Sequence, residues 1–129
     1  MITVVAALLE RGGRVLIAQR RSGGAHPLKW EFPGGKVEPG EPPLSALVRE
    51  LREELAVHVQ TASEVTRYEF QYPARPPVLL VFYRVNSFTG EPRNLVFERI
   101  EWTPRSRLKE YDFLDGDIDF IATLPTTAQ

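Results

Sequence analysis

The chain has 129 residues, 43% hydrophobic and 26% charged, and its 16 basic and 17 acidic side chains leave a formal net charge of -1. That length suits one domain spanning 1–129, and the charge balance gives no general attraction to a nucleic-acid polymer or an anionic membrane. Cysteine is absent and histidine occurs only at His26 and His58, which excludes disulfides, thiolate chemistry, sulfur-ligated zinc and a three-histidine metal site.

In chain order, Thr3–Glu10 and Arg14–Arg20 are short apolar segments separated by Arg11-Gly12-Gly13, the pattern of a two-stranded hairpin. The longest apolar runs, Val4–Leu9 and Val78–Tyr83, have six residues each, against about 20 for a bilayer span. The first run has no basic leader and meets Glu10 and Arg11 at once, so a cytoplasmic protein is expected. A loop rich in Ser, Gly, His and Pro follows, then a short strand at Trp30-Glu31-Phe32 and a turn at Pro33-Gly34-Gly35.

Beyond the prolines of Glu38–Pro43, Leu44, Leu47, Val48, Leu51 and Leu55 recur at steps of three and four, which predicts an amphipathic helix ending near Leu55. Strands are expected at Val57–Thr61, Val65–Tyr72, Val78–Val85 and Leu95–Trp102, separated by proline- and glycine-bearing turns. A closing helix over Asp115–Leu124 would turn Ile118, Ile121 and Ala122 inward. The order of elements implies an α+β fold, a mixed sheet with helices on its faces.

The helical run Arg49-Glu50-Leu51-Arg52-Glu53-Glu54-Leu55 sets Glu50, Glu53 and Glu54 on one side while Leu47, Leu51 and Leu55 point elsewhere, toward the core. Clustered carboxylates repel unless basic side chains or a cation neutralise them, and their hard oxygens suit magnesium or manganese. Taken alone, the run also describes a solvated face paired internally by Arg49 and Arg52. The glycine turn upstream, Gly34-Gly35-Lys36, favours the metal reading, because its backbone can approach a cation or phosphate and leads into the helix.

Gly35, five residues, Glu41, seven residues, then Arg49-Glu50-Leu51-Arg52-Glu53-Glu54-Leu55-Ala56-Val57 resembles the Nudix box over 35–57, with Ala56 standing where the family has its last glycine. Val15–Arg21, Trp30-Glu31-Phe32-Pro33 and Trp102 also look like the MutT branch of that family. The resemblance implies an α/β/α sandwich and a magnesium-dependent enzyme, with manganese as an alternative cofactor. The implied reaction is hydrolysis of a nucleoside triphosphate to monophosphate and pyrophosphate by a monomer or homodimer. Oxidised nucleotides such as 8-oxo-dGTP head the substrates. A cytidine-type triphosphate, or a nucleotide-binding module without turnover, are the alternatives.

By the same resemblance Glu50, Glu53, Glu54 and the Gly34 carbonyl would hold the metal, joined by Glu98 or, next to it, Glu101. Glu50 or Glu53 would be the catalytic base. Arg20, Arg21 and Lys36 would meet phosphates, and Gly35, Glu41 and Arg49 would brace the box. Phe32 and Asp117 would line the base pocket, where an ionised Asp117 only accepts hydrogen bonds and a protonated one also donates. Asp117 equally fits a cap of the closing helix. His26 and His58 read as surface or loop residues, and Tyr72 as core.

Overall fold

The computed structural model describes residues 1–127; the last two residues of the expected domain lie outside them. Its strands are β1 (Ile2–Leu8), β2 (Glu10–Arg11), β3 (Arg14–Gln19), β4 (Trp30–Glu31), β5 (Gly34–Lys36), β6 (His58–Phe70), β7 (Val78–Thr89) and β8 (Arg99–Pro104). Helix α1 spans Pro43–Leu55 and α2 spans Asp115–Thr123, with a 3-10 segment at Arg105–Glu110.

One sheet has the order β5-β1-β7-β6, with β1 and β7 parallel and the other pairs antiparallel. The second joins β2, β3 and β4, with β8 antiparallel to β3. Because side chains alternate across a strand, each central strand feeds two cores. Val5, Ala7, Leu16, Ala18, Val81 and Tyr83 pack with Leu47, Leu51 and Leu55 of α1. Ala6, Leu8, Val15, Ile17, Leu80 and Phe82 pack with Phe120 and Ile121 of α2. Burial on both faces explains why these strands are continuous apolar runs rather than alternating ones, and the result is the expected α/β/α sandwich.

Pro43 opens α1 after the extended Pro42, with no side-chain cap. The helix stops at Ala56, which adopts the left-handed conformation at φ 57 and ψ 30, and whose N–H takes the Arg52 carbonyl at 3.1 Å. The carbonyls of Glu54 and Leu55 accept from the N–H groups of Leu95 and Arg93 at 3.1 and 2.8 Å. A returning loop thereby satisfies the helix end.

Several elements depart from expectation for identifiable reasons. The expected turn at Gly34-Gly35 is strand β5, pressed between β1 and α1. A Cβ on Gly34 would stand 1.9 Å from the Val5 carbonyl oxygen, and one on Gly35 would stand 2.6 Å from the Glu50 carboxyl carbon. The strands read as Val57–Thr61 and Val65–Tyr72 are one long β6, bent by register shifts rather than broken. The strand read from Leu95 begins only at Arg99. The Asn94 side chain accepts from the Phe97 N–H at 2.8 Å and donates to its carbonyl at 2.9 Å, folding 94–97 into a turn. In α2 the inner face is Gly116, Asp117, Phe120 and Ile121, whereas Ile118 and Ala122 are exposed, because the helix is set by the Asp117 phase. Among the described residues no helix is long and apolar enough to cross a membrane.

Candidate active site

Arg49 is the hub of the α1 glutamate face. Its Nε and Nη2 donate to the Glu41 carboxylate at 2.9 and 3.0 Å, Nη2 also reaches the Lys36 carbonyl at 3.1 Å, and Nη1 donates to Glu50 at 2.9 Å. A longer contact at 3.4 Å meets Glu53. The guanidinium holds the Glu41 carboxyl down to about 2, helped by the Glu38 N–H. Glu41 and Arg49 thus join the loop, β5 and the helix.

One turn further on, Glu54 accepts from the Gly34 N–H at 3.0 Å. Burial pushes its carboxyl up to about 9, and the neighbouring Glu31 and Glu50 add to the shift. Glu50 is raised too, first by burial and then by Glu53 and Glu41, against the pull of Arg49. The face is therefore short of positive charge.

Glu54, Arg20, Phe32, Gly34, Gly35, Lys36 and Asp117 line a single cleft of about 370 Å³. Phe32 is also core, edge-on to Phe82 and Phe120, so it forms the apolar floor. Asp117 is 6% exposed, with its carboxyl raised well above the ordinary range by burial and by Glu31, against the Phe32 N–H. It does not cap α2, whose N-cap position is Leu114 and carries no side-chain cap.

Arg21 lines an adjoining pocket with Arg20, Glu31 and Glu54, its Nε donating to the Val96 carbonyl at 2.8 Å. Glu98 is exposed and its side chain has no hydrogen-bond partner among the described residues, while its N–H donates to the Gln19 carbonyl at 2.9 Å. Glu101 is engaged elsewhere, accepting from Tyr111 at 2.7 Å and Arg99 at 2.6 Å. Glu50 and Glu53 lie on α1 beside the cleft rather than in its lining.

The sequence reading missed Glu31. It lies largely buried between Arg20, whose Nη1 donates to it at 3.0 Å, and the cleft. Its carboxyl is raised by burial, with Glu50 adding to the shift and Arg20 opposing it. An acid between two aromatics, Trp30 and Phe32, was the available signal. His26, in the loop between β3 and β4 as expected, and Tyr72, half-buried rather than core, also line the cleft, with ring centroids 4.8 Å apart. His58 is exposed.

The donor set fits a hard divalent cation: oxygen ligands only, a glycine backbone that admits the Glu50 carboxylate, and two partly buried carboxyls raised first by burial and then by neighbouring glutamates. Among the described residues no three acidic or histidine groups already converge on one point. Arg49 holds Glu50 and Glu53, and the Gly34 N–H holds Glu54.

A family model described as the NUDIX domain matches residues 1–124. The chain is similar to the CTP pyrophosphohydrolase of Escherichia coli, 36% identical over 94% of this chain and 89% of that protein. It is also similar to the 8-oxo-dGTP diphosphatase of Escherichia coli, 33% identical over 95% of each. The solution structure of the E. coli ORF135 protein superposes with a TM-score of 0.83 at 35% identity, covering 95% of this chain and 86% of that one.

Proposed function

The chain belongs to the NUDIX family as a MutT-like hydrolase, and from that premise we propose that it cleaves a nucleoside triphosphate to monophosphate and pyrophosphate with magnesium, oxidised guanine nucleotides such as 8-oxo-dGTP being its main substrates. The observation that carries this reading is one cleft whose wall holds both Glu54, at the end of the α1 glutamate face, and Asp117.

When bound, magnesium or manganese neutralises phosphate oxygens and makes water more acidic. Glu50, Glu53, Glu54 and the Gly34 carbonyl would hold it, with Glu98 within the loop that returns to the end of α1. Glu50 or Glu53 takes the proton from the attacking water. Lys36, exposed and without a side-chain partner among the described residues, meets a phosphate. Arg20 stays paired with Glu31 and shapes the wall, and Arg21 borders the phosphate end.

Asp117 reads the base above the Phe32 floor. A buried carboxyl that keeps its proton both donates and accepts, as an amide does, and so suits the carbonyl and N–H edge of an oxidised guanine. The cytidine reading draws on the similarity to a CTP pyrophosphohydrolase and on an ionised Asp117 accepting from the cytosine amino group.

Initial-rate pyrophosphate release across canonical and oxidised triphosphates, beside Glu53→Gln, tests both. Preference for 8-oxo-dGTP that collapses in the variant supports the main reading, and preference for cytidine nucleotides replaces it. Nucleotide binding without turnover under any divalent metal rejects both.

A further inference from the structure

Helix α2 begins without a side chain of its own to satisfy its first amides. The N-cap position is Leu114, which offers no acceptor. The missing acceptor comes from β6 and the residues just beyond it. The Gly116 N–H donates to the Tyr72 hydroxyl oxygen at 3.0 Å. The Tyr68 hydroxyl donates to the Gly116 carbonyl at 2.5 Å and accepts from the Phe120 N–H at 3.2 Å, standing between the two groups a helix ordinarily joins directly. Two tyrosines thus grip both polar atoms of Gly116, the residue before Asp117.

The fit leaves no slack. A Cβ on Gly116 would stand 2.7 Å from the Tyr72 hydroxyl and 3.0 Å from Leu80 Cδ1. Tyr72 also contacts the other side of the cleft, its ring 4.8 Å from that of His26, in a loop where His26 and Leu28 both hold positive φ. A single side chain therefore relates the start of α2 to the loop across the cleft.

We infer that Tyr72, with Tyr68, is a positioning residue for substrate selectivity: by holding Gly116 it fixes where the Asp117 carboxyl meets the base. This rests on the reading of Asp117 as the base reader. A displaced hydrogen-bonding group loses part of the discrimination that its placement supplies.

The test is kcat and KM for the preferred triphosphate and for a poorer base in the wild type, Tyr72→Phe, Asp117→Asn and the double variant. Tyr72→Phe keeps the ring against His26 and removes only the acceptor, so the ratio of kcat/KM values should narrow by about fivefold, the order of one net hydrogen bond, mainly through KM. The double variant should lose no more selectivity than Asp117→Asn alone, and Gly116→Ala should reproduce the narrowing by displacing the hydroxyl. A wild-type ratio in Tyr72→Phe and Gly116→Ala, with Asp117→Asn altered, overturns the inference and leaves the base reader standing. An unchanged ratio in Asp117→Asn overturns both. A protected melting temperature in Tyr72→Phe separates positioning from loss of fold.

Discussion

Arg49 and Glu41 meet through two parallel hydrogen bonds, at 2.9 and 3.0 Å, across the junction of the glycine-rich strand and helix α1. The bidentate geometry is the strong form of a carboxylate–guanidinium pair. It leaves Nη1 to steer Glu50 at 2.9 Å, so the pair that joins strand and helix also sets the direction of the neighbouring carboxylate.

The Glu41 carboxyl lies at about 2, below its unfolded value, so the folded protein binds fewer protons than the unfolded one between the two. The pair's contribution is present above the unfolded carboxyl pKa and is lost as pH falls toward about 2. Glu41→Gln should abolish this part of the acid sensitivity, seen as a flatter dependence of melting temperature on pH between about 5 and 2.

Glu54 has the opposite sign. With its carboxyl pushed up to about 9, the metal-free folded state holds a proton that the unfolded state has lost above about pH 4.3. Stability therefore declines as pH rises from the unfolded value through about 9. Cation binding near neutral pH should expel that proton. Magnesium titration calorimetry in buffers of different ionisation enthalpy should show about one proton released in the wild type and markedly fewer in Glu54→Gln.

Replacing the catalytic base and replacing a metal ligand leave different kinetic traces. Glu50→Gln and Glu53→Gln should each lower kcat, by about 10²–10⁴-fold for the base. The base variant should lose the acidic limb of the pH–rate profile at saturating magnesium. The ligand variant should recover activity as magnesium is raised.

Ala56 sits at φ 57 where a side chain is strained. Ala56→Gly should raise stability by about 1 kcal/mol, read as a higher melting temperature, with kcat/KM unchanged. A lower melting temperature would show that the loop from Gly90, whose added Cβ would stand 2.8 Å from the Ala56 carbonyl, tolerates no loosening there.

What the sequence made legible was whatever depends on near neighbours in the chain. The 3.6-residue recurrence of Leu47, Leu51 and Leu55 placed α1, and the same recurrence put its glutamates on one side. Ala56 was readable as a left-handed stop because the box has a glycine there. Pairing across distance was not readable. The β5 segment Gly34–Lys36 looks like a turn until β1 lies beside it, and the Leu95–Glu98 segment looks like a strand until the Asn94 side chain folds it back. Glu31, Tyr72 and Asp117 are separated by tens of residues, and only the closed fold makes them walls of one cleft. The burial that shifts Asp117 has no trace in its neighbours, whereas Trp30 and Phe32 on either side of Glu31 are a local sign of its burial.

The two hydrophobic cores share the strands but no side chain. Leu47, Leu51 and Leu55 anchor the glutamate face to one, while Phe32, Phe82 and Phe120 support the Asp117 wall of the cleft from the other. Substitutions in separate packing groups act nearly independently. On the proposed function, repacking the aromatic layer under α2 would alter which base is read and leave the α1 glutamate face on the opposite layer undisturbed.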